Sequence, residues 1–314
     1  MHIAILGGGS WGTALAVHLA KNKHILTIWE FFDHQAREMQ QKRECPLLPG
    51  VHLLDAITVS SDMTLTLANA ELVLIVVPSD KVEATLEKAK AYLKSQPLII
   101  CSKGFASGPK LLSEVVREKV SNPLFFLYGP THAEEVGKGM FSGIVLAGGH
   151  GKEGLKKELE SPALKVDLSD DVVGVQVAAA LKNILAVFVG VLDGMGLGDN
   201  AKAYVMTKGL AEITIVGIAF GARQETFYGL AGMGDVIVTC MSEHSRNFRV
   251  GREIGKGRRL DAVLAEMKMV AEGIIAAKYI PLLEQKCPQP LPLLHGIHGI
   301  LFECKNATRI LEEL

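Results

Sequence analysis

Cysteine is scarce in this chain and follows no pattern. Its five cysteines, Cys45, Cys101, Cys240, Cys287 and Cys304, are odd in number and show neither a CxxC nor a spacing that pairs them with histidine. That argues against a disulfide framework and against a zinc site, and it sets the expectation of no bound metal and a reducing, cytoplasmic home. An excess of one charge is also missing. With 33 basic against 34 acidic residues, no global field would draw nucleic acid or an anionic membrane, so any basic function must be local. No positively charged stretch precedes the apolar run Ile3-Ala4-Ile5-Leu6, so the N-terminus reads as structure rather than as a secretion signal. Internal repeats and low-complexity tracts are absent too, and the prolines at 288, 290 and 292 mark a loop.

One long hydrophobic run is present, from Val172 to Leu192, but Gln176, Lys182 and Asn183 interrupt it. An ammonium at the centre of a bilayer is costly, so the run is read as a buried core helix and no membrane span is expected.

At 314 residues the chain exceeds the usual single domain, and each half is long enough to bury its own core. Short apolar or β-branched runs at His2–Leu6, Ile25–Trp29, Leu72–Val77, Leu98–Cys101, Leu124–Tyr128 and Gly143–Ala147 read as strands, with Ile57–Val59 and Lys165–Leu168 at an edge. Their alternation with helix-patterned stretches predicts an α/β fold, a Rossmann-like, doubly wound, mainly parallel sheet. Beyond Asp171 the pattern turns helical, at Val172 to Leu192, Ala201 to Ala219, Leu260 to Met267 and Gly273 to Glu284, which predicts an all-α C-terminal domain. The boundary falls at the Ser169-Asp170-Asp171 cluster, which can cap the long helix, giving domains 1–171 and 172–314.

Gly7-Gly8-Gly9-Ser10-Trp11-Gly12 is a GxGxxG that follows a predicted strand and opens a helix from Thr13 to Lys21. In that context Gly7 permits a tight turn, Gly9 lets backbone approach a pyrophosphate, and Gly12 lets helix and strand pack closely. A second strand ends at Glu30, 30 − 12 = 18 residues after the last glycine, where a carboxylate would accept hydrogen bonds from the adenosine ribose. The alternative is a ligand-free turn and an ordinary strand-end glutamate. A carboxylate at Glu30 disfavours a 2′-phosphate, and no arginine stands between Glu30 and Gln35, so NAD is expected as cofactor over NADP.

In such sheets ligands lie beyond the carboxyl ends of strands, which singles out Val77-Pro78-Ser79, Ser102-Lys103-Gly104 and Gly129-Pro130-Thr131-His132-Ala133. Lys103 could reach substrate or nicotinamide, or be a solvated lysine. In the second half Lys182 interrupts a helix that is apolar nearly all round, so its ammonium must snorkel, pair or lose its proton. Burial lowers a lysine pKa towards neutrality and makes it a usable acid or base; a structural ion pair is the competing reading. Asp235, after Gly229, Gly232 and Gly234, either caps the next helix or pairs with Lys182 and tunes it. Ser245-Arg246-Asn247 offers adjacent donors that suit a phosphate, or is a basic surface loop.

Taken together, these stretches resemble the bacterial-type NAD(P)-dependent glycerol-3-phosphate dehydrogenase family. The likeness runs from Gly7-Gly-Gly-Ser-Trp-Gly-Thr-Ala-Leu-Ala16 through Leu48-Pro-Gly50, Ser102-Lys-Gly104, Gly129-Pro-Thr131, Ala180-Leu-Lys-Asn183, Asp193 to Lys202, Gly229 to Asp235 and Ser245-Arg-Asn247 to Glu272-Gly273. It implies reversible reduction of dihydroxyacetone phosphate to sn-glycerol 3-phosphate for phospholipid synthesis, commonly by a homodimer. By the same resemblance Lys182 is the general acid and base, and Asp235 sets its environment. Substrate would be held by Lys103, Gly129, Thr131, Asn183, Thr239, Ser245, Arg246 and Asn247. The cofactor set, with Gly7, Gly9, Gly12 and Glu30, gains Ser10, Trp11, Lys103, Ala133, Arg246, Val270 and Glu272. Members that accept NADPH tend to carry a basic residue after the second strand, where this chain has Glu30-Phe31-Phe32-Asp33. Two other readings stay open: a related dehydrogenase acting on another anionic hydroxy acid, and a non-catalytic sensor of NAD(H).

Overall fold

The computed structural model of the chain describes residues 1–267 and 271–313. The chain forms two compact units, Met1–Ser102 with Leu112–Val172, and Lys103–Leu111 with Val173–Leu314. The change of unit at 172/173 lies beside the boundary expected from the sequence. The segment Lys103–Leu111, by contrast, leaves the N-terminal stretch of sequence and clusters with the helical unit.

The first unit is built on eight strands: β1 (His2–Leu6), β2 (Ile25–Trp29), β3 (Ile57–Ser60), β4 (Leu72–Ile75), β5 (Leu98–Ile100), β6 (Leu124–Tyr128), β7 (Ser142–Gly148) and β8 (Leu164–Ser169). They lie in the order β3-β2-β1-β4-β5-β6-β7-β8. Only the β6–β7 pair is antiparallel. The chain runs outward from β1 to β3, returns to β4 beside β1, and then proceeds the other way, so the topological switch point lies between β1 and β4. The two weakest strand signals, at 57–59 and 165–168, are the edge strands. β4 is buried at all four positions, as expected of a parallel strand covered on both faces.

Around the sheet run α1 (Ser10–Lys21), α2 (Asp33–Lys42), α3 (Met63–Leu67), α4 (Val82–Ala89), α5 (Leu112–Lys119), α6 (Ala133–Lys138) and α7 (Lys152–Leu159). Ala14, Leu15 and Leu19 of α1 and Val136 of α6 share one apolar core with Ile3, Ile5, Leu26 and Ile28 of the sheet. Each large aliphatic side chain so buried contributes about 1.5–3 kcal/mol. α1 starts at Ser10, with Gly9 as its N-cap, three residues before the sequence pattern suggests, because Ser10, Trp11 and Gly12 carry no helical periodicity of their own.

The second unit comprises α8 (Val172–Gly194), α9 (Asp199–Ala219), α10 (Asp235–Met241), α11 (Arg246–Gly255), α12 (Leu260–Ala265), α13 (Glu272–Ala277), α14 (Ile280–Glu284), α15 (Pro292–Phe302) and α16 (Ala307–Glu313). By length and composition α8 could cross a membrane, but 89% of its most apolar window is buried inside the fold. Its neighbours in that core include Phe227, Val236, Phe248 and Ile274. The stretch from Gly273 to Glu284, expected as one helix, is two. Pro281 sits in the first turn of α14, where its missing N–H is harmless; further inside a helix it would break the ladder.

α8 and α11 touch backbone to backbone. A Cβ at Gly251 would lie 1.8 Å from the Val187 carbonyl oxygen, and one at Gly190 would lie 2.1 Å from that of Phe248. Gly194 and Gly255 repeat the arrangement one turn on, each 2.1 Å from a carbonyl oxygen of the opposite helix. This crossing fixes the start of α11 relative to the middle of α8, where the chemistry-bearing side chains stand.

Candidate active site

Lys182 projects from the centre of α8 and is 5% exposed, while Asp235, the first residue of α10, is wholly buried. A single π turn over Leu230–Gly234 leads into α10, a local widening often found at functional sites. There a Cβ on Gly232 would lie 2.2 Å from the Phe227 carbonyl oxygen, so the turn closes only because glycine is present. Asp235 is therefore drawn into the core beside α8.

The Lys182 ammonium donates to Asp235 Oδ1 at 2.5 Å and to Thr239 Oγ1 at 2.7 Å. Lys103 donates to the other carboxylate oxygen, Oδ2, at 2.9 Å. Two cations thus share one buried anion, and Thr239, one helical turn after Asp235, completes the ring of contacts. An ammonium has three N–H groups; two of Lys182's are engaged, and the third can meet a substrate oxygen. Burial pushes the Lys182 pKa down from its usual value to about 7; Asp235 opposes that shift and the charge of Lys103 adds to it. The adjacent Cys240 thiol is pushed up to about 12 by burial, so it stays protonated and is no nucleophile at neutral pH.

A second cluster joins three helices. Asn247 donates through Nδ2 to Asn183 Oδ1 at 3.0 Å, and its Oδ1 accepts the Gly273 N–H at 3.0 Å. Asn183 also reaches back to the Ala179 carbonyl. Both amides are therefore largely occupied within the protein, each with one Nδ2 hydrogen left over. Ser245 is the N-cap of α11, its Oγ accepting the Phe248 N–H at 3.2 Å, and its own hydroxyl hydrogen remains available as a donor. Arg246 opens the same helix and Glu272 opens α13. Val270 lies outside the described residues.

In the first unit, Gly7 has φ +127° and a Cβ there would meet the backbone of Val76 and Val77 at 2.9 Å. A Cβ on Gly12 would fall 2.0 Å from the Gly7 carbonyl oxygen, whereas at Gly9 nothing lies within 4 Å. The turn is thus tight where helix meets strand and open at Gly9, with the N-terminus of α1 behind it, a shape that accepts a pyrophosphate. Trp11 carries a buried indole N–H with no protein partner. Glu30 accepts the Phe32 N–H through Oε1 at 3.1 Å, and its Oε2 stands 2.7 Å from where a Gly8 Cβ would be. The residues present therefore fit a dinucleotide.

After β6, Gly129 has φ +156°, and the Thr131 hydroxyl donates to its carbonyl at 3.2 Å; Ala133 is buried at the start of α6. Ser102, which the sequence marks by its place after β5 but gives no role, ties two strand ends together: its hydroxyl donates to the Val77 carbonyl at 2.5 Å, and its own carbonyl accepts from the buried Tyr128 hydroxyl at 2.8 Å. Among the described residues no group of three or more His, Cys, Asp or Glu could hold a metal ion.

Residues 2–153 match the N-terminal family model of NAD-dependent glycerol-3-phosphate dehydrogenase, and residues 171–312 match the C-terminal one. The chain belongs to this family. A glycerol-3-phosphate dehydrogenase [NAD(P)+] of Fusobacterium nucleatum is 38% identical over 99% of this chain and 96% of that protein. One from Thermoanaerobacter is 40% identical over 98% of this chain and 94% of that protein. The crystal structure of the Coxiella burnetii glycerol-3-phosphate dehydrogenase superposes with a TM-score of 0.95 at 32% identity, covering 99% of this chain and 98% of that one. The resemblance read from the sequence motifs thus holds across the whole chain. Glycerol-3-phosphate dehydrogenases are oxidoreductases acting on a CH–OH donor, and the NAD(P)-dependent character of the chain follows from the same matches.

Proposed function

We propose that the chain reversibly reduces dihydroxyacetone phosphate to sn-glycerol 3-phosphate, and that Lys182 is its general acid and base. The observation that carries this reading is the buried ring of Lys182, Asp235, Lys103 and Thr239, which holds one lysine at a pKa of about 7. A group poised there can both give and take a proton at neutral pH.

A bound nicotinamide supplies the hydride at C2 of the substrate, or accepts it in the reverse direction. Lys182 gives the proton to the C2 oxygen, turning the carbonyl into a hydroxyl, and is recharged from solvent. Asp235 holds the ammonium in place, aided by Thr239. Lys103 is a second donor for the substrate's oxygens. The phosphate end goes to the start of α11, where Ser245, Arg246 and the remaining Asn247 hydrogen offer donors at a helix N-terminus. Asn183 supports that end through Asn247, and Gly129 and Thr131 contribute to substrate binding from the loop after β6.

Gly7, Gly9, Ser10, Trp11 and Gly12 hold the pyrophosphate, and Glu30 takes the adenosine ribose hydroxyls. Lys103, Ala133, Arg246, Val270 and Glu272 complete the cofactor set. A carboxylate at Glu30 repels a 2′-phosphate, which favours NAD over NADP. The roles of the two halves follow: residues 1–171 bind the dinucleotide and residues 172–314 carry substrate and catalysis. The chain works as a cytoplasmic homodimer feeding phospholipid synthesis.

The test is oxidation of NADH and of NADPH, followed by absorbance, with dihydroxyacetone phosphate and with unphosphorylated dihydroxyacetone. Turnover that requires the phosphate and favours NADH is the expected result. Equal turnover of the unphosphorylated ketone would remove the phosphate role of α11, and a preference for NADPH would reverse the cofactor assignment.

A further inference from the structure

The Leu48-Pro49-Gly50 stretch has no part in the chemistry above, yet the loop carrying it is closed with care. Between α2 and β3, Leu53 N–H donates to the Arg43 carbonyl at 2.8 Å, and Glu44 pairs with His52 in an isolated antiparallel bridge. Inside that closure Leu48 N–H donates to the Cys45 carbonyl at 2.9 Å, and Gly50 N–H to Glu44 Oε1 at 2.7 Å. Leu48, Val51 and Leu53 are buried, so residues 43–53 form a fixed ring of chain.

What the ring holds out is Cys45, 1% exposed, whose Sγ donates to the Gly8 carbonyl at 3.3 Å. The wholly buried Thr13 hydroxyl donates to the same oxygen, also at 3.3 Å. Gly8 is the second residue of the glycine turn. Its carbonyl shares a peptide plane with the Gly9 N–H, and in a trans peptide the two point in opposite directions. Two donors that pin the Gly8 carbonyl on one side therefore aim the Gly9 N–H to the opposite side, and Gly9 itself is uncrowded, since a Cβ built there would meet nothing within 4 Å.

We propose that the closed loop 43–53 braces the dinucleotide turn, with Cys45 and Thr13 as positioning residues that orient the Gly8–Gly9 peptide for the cofactor's pyrophosphate. This rests on the dinucleotide reading given above. Burial also pushes the Cys45 thiol pKa up, which keeps it a protonated donor at working pH.

Cys45→Ala, Cys45→Ser and Thr13→Val, each in the full chain, test the brace by NADH titration (fluorescence), by steady-state kinetics and by thermal melting. A single lost hydrogen bond on the turn corresponds to about a three- to tenfold weaker Kd and higher KM for NADH. Cys45→Ala and Thr13→Val are each expected to show that loss, with kcat and the KM for dihydroxyacetone phosphate unchanged. Cys45→Ser, which retains a donor, restores NADH affinity to within about twofold, a rescue that a purely packing role of the sulfur would not give. A lowered melting temperature in Cys45→Ala with wild-type NADH affinity overturns the proposal, as does a Ser variant as weak as Ala. Should Cys45→Ala fail to fold, Cys45→Ser and Thr13→Val decide it by the same criteria. Absence of NADH binding by the unmodified chain would instead overturn the dinucleotide reading itself.

Discussion

Lys182 and Asp235 meet at 2.5 Å in the core of the helical unit although 53 positions separate them in sequence. The pair is nearly inaccessible to water, with side chains 6% and 1% exposed. Such a pair adds little net stability, because desolvation offsets the attraction. Its consequence lies in the protonation of the lysine, whose pKa burial pulls down towards neutrality against the opposing pull of Asp235.

Replacing Lys182 with alanine should cut kcat by about a hundredfold to ten-thousandfold, the range of general acid–base catalysis. NADH binding should stay near the wild-type value. Turnover within tenfold of wild type would remove Lys182 from the acid–base role.

The two reaction directions should titrate oppositely. Ketone reduction needs the protonated lysine, so its kcat/KM falls as pH rises through about 7, whereas glycerol phosphate oxidation needs the neutral amine and rises over the same range. Lys103→Met removes a charge that holds the Lys182 pKa down, so both limbs move to higher pH. A pH–rate profile of this variant that coincides with wild type would show that Lys103 does not tune Lys182.

Folding stability should carry the same signature. The unfolded chain binds a proton at Lys182 up to its usual 10.5, while the folded chain releases it near 7, so between those values the unfolded state holds more protons and stability rises with pH. Below about 7 the cost of the buried charge is fully felt. Denaturant titrations of wild type against Lys182→Met, at pH 6.5 and 9.5, should show a difference on the order of a few kcal/mol that narrows at the higher pH.

Glu30→Gln keeps an acceptor for the Phe32 N–H while removing the negative charge. The ratio of kcat/KM for NADPH over NADH should then rise about tenfold, given the energies of close like charges. An unchanged ratio would place the cofactor's ribose elsewhere.

Gly251→Ala would gain about 1 kcal/mol in helix propensity, yet its Cβ would fall 1.8 Å from the Val187 carbonyl. Backbone cannot yield there without parting α8 from α11, and overpacking of this kind costs about 1–3 kcal/mol or more. The net effect should be a lower urea midpoint. A raised KM for dihydroxyacetone phosphate should accompany it, because α11 carries Arg246 and Asn247.

The sequence by itself determined the strands, their alternation with helices and the glycine turn after β1, because side-chain periodicity and short-range backbone sterics act locally. It also marked Lys182, since a cation in an otherwise apolar helix is conspicuous without any coordinates. It did not divide the stretch 273–284 into α13 and α14, where one proline mattered more than the surrounding pattern. Only the tertiary structure decided that Lys103 joins the helical unit and shares Asp235 with Lys182. It alone showed that Asn247 is spent mainly on Asn183 and Gly273, and that Cys45 lies beneath Gly8. Each of these contacts joins residues from 26 to 132 positions apart, and no local preference encodes which distant partner a side chain will meet. That choice is made by packing, when helices such as α8 and α11 close until their glycine backbones touch.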